Sequence, residues 1–136
     1  MVTAEPEPES DLDPGTSVPR DDPADRVSNV STLAALQAER QPDRLALVEP
    51  GVRAVTWSEL DGQVDAVAAG LAATGLVAGQ RVGVDGPNSI AWVVGSLGAL
   101  RAGLVVVPTD PGSSVADRDA LLADCGARLV LTTRTP

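Results

Sequence analysis

Lysine, histidine, tyrosine and phenylalanine are all missing from this chain, so each of its ten basic residues is Arg. Without an imidazole there is no Ser-His-Asp triad and no His-based zinc site. Without lysine there is no G-x-x-x-x-G-K-S/T phosphate loop. The one cysteine, Cys125, has no intrachain disulfide partner, which makes a reducing cytoplasm the simplest setting. Aromatic residues are limited to Trp57 and Trp92, so no basic–aromatic interleaving exists for stacking nucleobases. No secretory leader is expected, because Glu5, Glu7, Glu9, Asp11 and Asp13 occupy the places of a basic and then apolar stretch. The longest apolar run, Ile90 to Val107, contains Arg101, which costs about 2.5–3.5 kcal/mol near a bilayer centre. Gly103 followed by Leu104-Val105-Val106-Val107 reads there as a helix stop and a buried strand, so no membrane span is expected.

What remains is an acidic chain of 136 residues, 43% apolar, with net charge −9. The charge is uneven: Met1 to Arg26 holds eight acids against two Arg, leaving only −3 for the rest. That balance argues against nucleic acid and against an electrostatically bound membrane surface. The first 27 residues carry five prolines and only scattered apolar residues, too little to offset about 1–2 kcal/mol of backbone entropy per residue. Residues 1–27 are therefore expected to be a disordered acidic, Pro-rich tail, and residues 28–136 a single ordered unit able to bury about two-thirds of its unfolded surface.

From Ser28 onward, helix and strand signals alternate. Ser31 is expected to cap a short helix through Arg40, with Leu33 and Leu36 on one face and Pro42 as its breaker. Leu45–Val48 and Arg53–Val55, joined by Pro50-Gly51, read as a hairpin-like pair at the edge of a sheet. Thr56-Trp57-Ser58-Glu59 is a capping box opening a helix whose apolar stripe is Trp57, Leu60, Val64, Val67 and Leu71, with Gly75 as its stop. Arg81–Val84 is a strand and Asp85-Gly86-Pro87-Asn88 a turn. The helix from Ser89 to Ala102 is apolar on nearly every side, and Gly95, Gly98, Ala99 and Ala102 would let it approach a sheet closely. Leu104–Val107 is an apolar strand, Ser114 caps a helix to Asp124 that Gly126 ends, and Arg128–Thr133 is the last strand. This order predicts an α/β fold: a partial parallel sheet with helices on both faces and strands buried on both sides.

No catalytic, cofactor-binding or metal-binding residue is expected on this chain. Gly83-Val84-Asp85-Gly86 follows a strand and precedes a helix, but it lacks G-x-G-x-x-G spacing and Pro87 has no amide to offer a phosphate, so it reads as a turn. Asp117, Asp119 and Asp124 are spaced two and five apart, off one helical face and too sparse for calcium, so they read as exposed carboxylates. Ser113 and Ser114 have no base to activate them and read as caps. Cys125 lies at a helix end, where no positive dipole lowers its thiol pKa, and reads as a small core residue. Trp57 and Trp92 fall at apolar helical positions and read as core.

Several segments together resemble the AMP-forming adenylating enzymes, the superfamily of acyl-CoA synthetases, nonribosomal peptide synthetase adenylation domains and luciferases. Val55-Thr56-Trp57-Ser58-Glu59-Leu60 is similar to the family's first motif, with Trp57 where Tyr is usual. Pro87-Asn88-Ser89 resembles its turn after the third strand, Leu100 to Asp110 its second motif, and Cys125 to Thr132 the stretch before its ATP loop. The resemblance implies ATP-driven activation of a carboxylate as an acyl-adenylate, with transfer to a thiol; ATP, Mg and CoA are implied for a full-length parent. It also implies a T-S-G-T-T-G-x-P-K loop, an aromatic-T-E motif, an adenosine-binding Asp and a C-terminal Lys, none of which has a position here. The expectation is an N-terminal fragment of an acyl-CoA synthetase of fatty acid metabolism, inactive alone and binding no cofactor. The alternatives are a peptide-synthetase adenylation fragment, favoured by Pro108-Thr109-Asp110-Pro111, and a non-catalytic interaction module on the same scaffold. Its expected partners are the downstream part of the ligase or a second copy of itself.

Overall fold

The computed structural model describes residues 29–133. The expected tail, residues 1–27, lies outside the described residues. The elements run α1 (Thr32–Arg40), β1 (Leu45–Glu49), β2 (Arg53–Thr56), α2 (Trp57–Ala73), β3 (Arg81–Asp85), α3 (Ile90–Arg101), β4 (Val105–Pro108), α4 (Val115–Asp124) and β5 (Leu129–Thr132).

The main sheet has three parallel strands in the order β4-β3-β5, and β1 and β2 pair antiparallel in a second, separate sheet. The hairpin is therefore not an edge of the parallel sheet. It packs instead with α1, α2 and α3, where Ala46, Leu47 and Val55 join the core of Ala34, Leu60, Val64, Ile90 and Val94. The strand order reverses direction at β3: α3 carries the chain to one side, and α4 returns it past β3 to the other. Right-handed crossovers then place the two helices on opposite faces. Gly95 of α3 accordingly faces Leu131, whereas Gly83 faces Leu122 of α4 and Val130.

Helices do lie on both faces, but only β3 is covered on both. Its Val82 and Val84 are fully buried, while Val105 of β4 and Val130 of β5 remain 45% and 44% exposed. The apolar runs identified the strands correctly. They overstated the cover on the flanking pair, because one helix on the α4 side cannot span three strands.

α2 carries the expected stripe, with Leu60, Val64 and Leu71 buried and Trp57 and Val67 half-buried. Its capping box is present: the Thr56 hydroxyl accepts from the Glu59 amide at 3.2 Å, and the Thr56 amide donates to Glu59 Oε2 at 2.8 Å. Thr56→Ala is expected to cost about 0.5–2 kcal/mol in urea unfolding. An unchanged midpoint would show that the box is solvated. α2 ends where Gly75 takes φ of 82°, a left-handed conformation that glycine adopts without strain.

α1 departs from its expected start. Ser31 sits in helical geometry without a side-chain cap bond, and Asn29 caps instead: its Oδ1 accepts from the Ser31 amide at 3.0 Å and its carbonyl from Thr32. The helix buries Ala34 rather than Leu33, which is 46% exposed. The smaller side chain lets α1 lie close on α2. The small-residue stripe of α3 also has a different main target. A Cβ on Gly98 would fall 2.6 Å from the Val67 Cβ, so the closest approach is to α2 and not to the sheet. Among the described residues, no helix is long and apolar enough to cross a membrane.

Candidate functional site

In an open parallel sheet the crevice for ligands lies beyond the C-terminal ends of the strands, where the strand order reverses. Here that place is occupied by Asp85, the last residue of β3, whose side chain is only 3% exposed. A carboxylate buried this deeply needs hydrogen-bonding partners. Asp85 Oδ1 accepts from the Thr109 hydroxyl at 2.7 Å, and Oδ2 faces Arg118 Nη1 of α4 at 3.3 Å. The Asp85 carbonyl accepts from the Thr133 amide at 2.8 Å. One residue thus gathers the exits of β4 and β5 and the first turns of α4.

Two open grooves flank β5, and Asp85 lines the first of them. One of about 340 Å³ runs between α4 and β5, lined by Asp85, Arg118, Asp119, Leu122, Val130 and Thr132. The other, of about 430 Å³, lies on the opposite face, with a floor of Ala66, Val67, Ala91, Val94, Gly95 and Leu131. Both are in the size range of small-molecule sites. Neither brings together a nucleophile and a base.

Residues 34–136 match the AMP-binding enzyme family, three-quarters of the chain. The chain belongs to that family. It is 35% identical over 96 residues to the medium-chain acyl-CoA ligase ACSF2, mitochondrial, of Macaca fascicularis, covering 69% of this chain and 15% of that one. It is 39% identical over 106 residues to tyrocidine synthase 3 of Brevibacillus parabrevis, covering 76% of this chain and 2% of that one. Its fold matches the crystal structure of the inhibitor-bound N-terminal domain of FACL13 from Mycobacterium tuberculosis with a TM-score of 0.73 and 27% identity, over 76% of this chain and 26% of that one. This AMP-binding family member therefore spans about a seventh of the length of the ligases it matches.

Among the described residues, the ends of these strands do not fit an adenylate's phosphates. The groove wall nearest the strand ends is the Asp85 carboxylate, which repels an anion, and the adjacent cation, Arg118, is already engaged by Asp85 and by Asp119 at 3.1 Å. The amides at the start of α3 are also taken: Ile90 N–H donates to Glu49 Oε2 at 3.1 Å and Trp92 N–H to the Ser89 hydroxyl at 3.1 Å. A helix N-terminus already holding a carboxylate and a cap offers little to a phosphate.

The other sequence candidates fall where their chemistry is local. Gly83–Gly86 forms the end of β3 and its turn. Asp117 completes the cap of α4, its amide donating to Ser114 Oγ at 3.1 Å and its carboxylate accepting from that hydroxyl at 2.7 Å. Ser113 is not a cap; its amide closes a turn onto the Asp110 carbonyl at 3.0 Å. Asp119 pairs with Arg118, and Asp124 ends α4. Cys125 is half-buried at the C-cap, its thiol donating to the Leu122 carbonyl at 3.4 Å. Trp57 and Trp92 are half-buried. Sequence reasoning missed Asp85, Thr109 and Arg118 as a group; the one available signal was an acid closing the apolar run Val82–Val84.

Proposed function

We propose that this chain forms the early α/β portion of an ATP-dependent, AMP-forming acid–thiol ligase, a cytoplasmic acyl-CoA synthetase of fatty acid metabolism. The parent would activate a carboxylate as its acyl-adenylate with ATP and Mg, release pyrophosphate, and pass the acyl group to CoA. The family match over residues 34–136, joined to 35% identity with a medium-chain acyl-CoA ligase, supports this reading most directly. In it the chain contributes scaffold. Phosphate contacts and the acyl pocket would come from the remaining part of the ligase, which is the proposed partner. The half-covered β4 and β5 favour such a partner, because exposed apolar area costs about 25 cal/mol per Å². Residues 28–136 would then fold as one subdomain behind the acidic segment 1–27.

The isolated 136-residue chain is expected to give pyrophosphate exchange no different from a blank across fatty, aryl and amino acids. It has no Lys or glycine-rich loop to hold phosphoryl charge. Exchange that scales with the purified chain would overturn that inactivity. The ligase reading itself is tested by adding the chain to an acyl-CoA ligase lacking the matching segment. Restored exchange with fatty acids supports it. Restoration with amino acids alone supports the second reading, a peptide-synthetase adenylation portion, which the 39% identity to tyrocidine synthase 3 favours. Failure of both would leave the non-catalytic module as the better account.

A further inference from the structure

α4 is the most exposed of the four described helices. Of its residues Val115–Asp124, only Arg118 and Leu122 are not exposed, and Leu122 alone is buried. Val115 and Leu121 are 64% and 44% exposed. Arg118 and Leu122 are four residues apart, so they share one helical face. Leu122 rests over Gly83, where a Cβ would lie 2.6 Å from its Cδ2, and Arg118 reaches Asp85. α2 and α3, by contrast, bury Leu60, Val64, Leu71, Ile90, Val94, Gly95, Gly98 and Ala99 within shared cores.

The helix also carries its own ends. The Ser114 hydroxyl accepts from the Asp117 amide and donates to the Asp117 carboxylate, and the Cys125 amide bonds back to the Leu121 carbonyl. Such internal closure lets the helix move without fraying. It is flanked by the turn at Asp110–Ser113 and by Gly126, whose φ is 67°. Segments with few buried contacts open at a fraction of the global unfolding free energy.

We propose that α4 is a separately opening cover on the β3–β5 face, with the Arg118–Asp85 ion pair as its latch. Opening uncovers a strip that is apolar at Gly83 and Val130 and ends in the Asp85 carboxylate, and it widens the groove beside β5.

Amide hydrogen exchange on the full chain tests it, with Trp57 and Trp92 emission as the monitor of the remaining core, since both lie outside α4. In the unmodified chain the amides of Arg118–Asp124 are expected to exchange at least about tenfold faster than those of Leu60–Leu71 and Val82–Val84. Arg118→Gln should speed the α4 amides by a further tenfold or so, because it removes the ion pair that ties α4 to the end of β3. It should leave the α2 and β3 amides and the tryptophan melt unchanged. Arg118→Lys should restore part of the protection, and Leu122→Ala should speed α4 while keeping the latch. Parallel acceleration of α4 and the core, or a fall in the tryptophan melting temperature matching the loss in α4, would overturn the proposal. So would an α4 that exchanges as slowly as β3 and ignores Arg118→Gln.

Discussion

Arg101→Ala is expected to cost about 3–5 kcal/mol, a large share of the roughly 5–15 kcal/mol that holds a typical domain together. Arg101 closes the last turn of α3 with its side chain 18% exposed. Its Nη2 donates to Asp61 Oδ1 at 2.7 Å and to the Ser31 carbonyl at 2.7 Å, and its Nη1 to Asp65 Oδ1 at 2.6 Å and the Asp61 carbonyl at 3.3 Å. One guanidinium thus ties α3 to α2 and to the entry of α1. Burial works against its charge, but the hydrogen bonds and attraction of Asp65 and Asp61 outweigh that and raise its pKa above the ordinary arginine value. A raised cation pKa adds stability that is lost only as pH climbs through the folded value, so Arg101 itself contributes no pH dependence near neutrality. The arms differ in worth. The Asp65 side chain is 67% exposed, and Asp65→Ala should cost under about 1 kcal/mol. Truncating Arg101 leaves the Asp61 carboxylate without its guanidinium, whereas the Asp61 and Ser31 carbonyls keep the amides of their own helices. Arg101→Lys should recover less than half, because an ammonium cannot span acceptors set for a planar fork. Urea unfolding followed by tryptophan fluorescence measures each value. A loss below about 1 kcal/mol for Arg101→Ala would show the site to be well solvated without the guanidinium.

Legibility followed the range of the interaction. The Thr56–Glu59 box and the Ser114 cap span three residues each, and both were readable because partner and signal lie in one short window. The stops at Gly75, Gly103 and Gly126, all at positive φ, were readable for the same reason. The Asp85 group was not. Thr109 and Arg118 stand 24 and 33 residues from Asp85 and meet it only once β3 lies between β4 and β5. In the sequence, Asp85 looks like the first residue of a turn, which it also is.

Apolar pattern located elements better than it located their neighbours. Leu33 and Leu36 suggested the buried side of α1, but Ala34 fills it, since the space against α2 is set by the partner helix. Val105 and Val130 belong to strands as expected, yet stay half-exposed because cover depends on which helices cross which face. The short antiparallel β1–β2 pair gave no sign that it would form its own sheet; that follows from its packing on Val64 and Ile90. The motif resemblance reached further than periodicity, for it joined Val55–Leu60, Pro87–Ser89 and Leu100–Asp110 into one family pattern that the match over residues 34–136 bears out. It did not single out the Asp85 group, although Thr109 lies inside Leu100–Asp110.

Gly98→Val should destabilise the domain by about 3 kcal/mol or more, the upper end for overpacking a dense contact. Helix propensity alone argues the other way, since glycine inside a helix is about 0.8–1.0 kcal/mol worse than alanine. The contact decides. A Cβ at Gly98 would lie 2.5 Å from Val67 Cγ1, 2.6 Å from Val67 Cβ and 3.2 Å from the Val64 carbonyl oxygen. Val67 packs against both apolar cores, and the Val64 carbonyl belongs to the backbone of α2, so neither can yield without moving that helix. β-branching adds a second methyl to the clash and leaves χ1 little freedom to avoid it. Gly83 is the natural control. Its Cβ would meet Leu122 Cδ2 at 2.6 Å, but that atom is the far end of a flexible side chain on the sparsely held α4. Gly83→Ala should therefore cost clearly less than Gly98→Val and be felt mainly as loosening of α4. Denaturant midpoints for the two variants, read on Trp57 and Trp92, give the comparison. A Gly98→Val protein as stable as the unmodified chain would mean that α2 and α3 are not in the close contact on which both apolar cores depend.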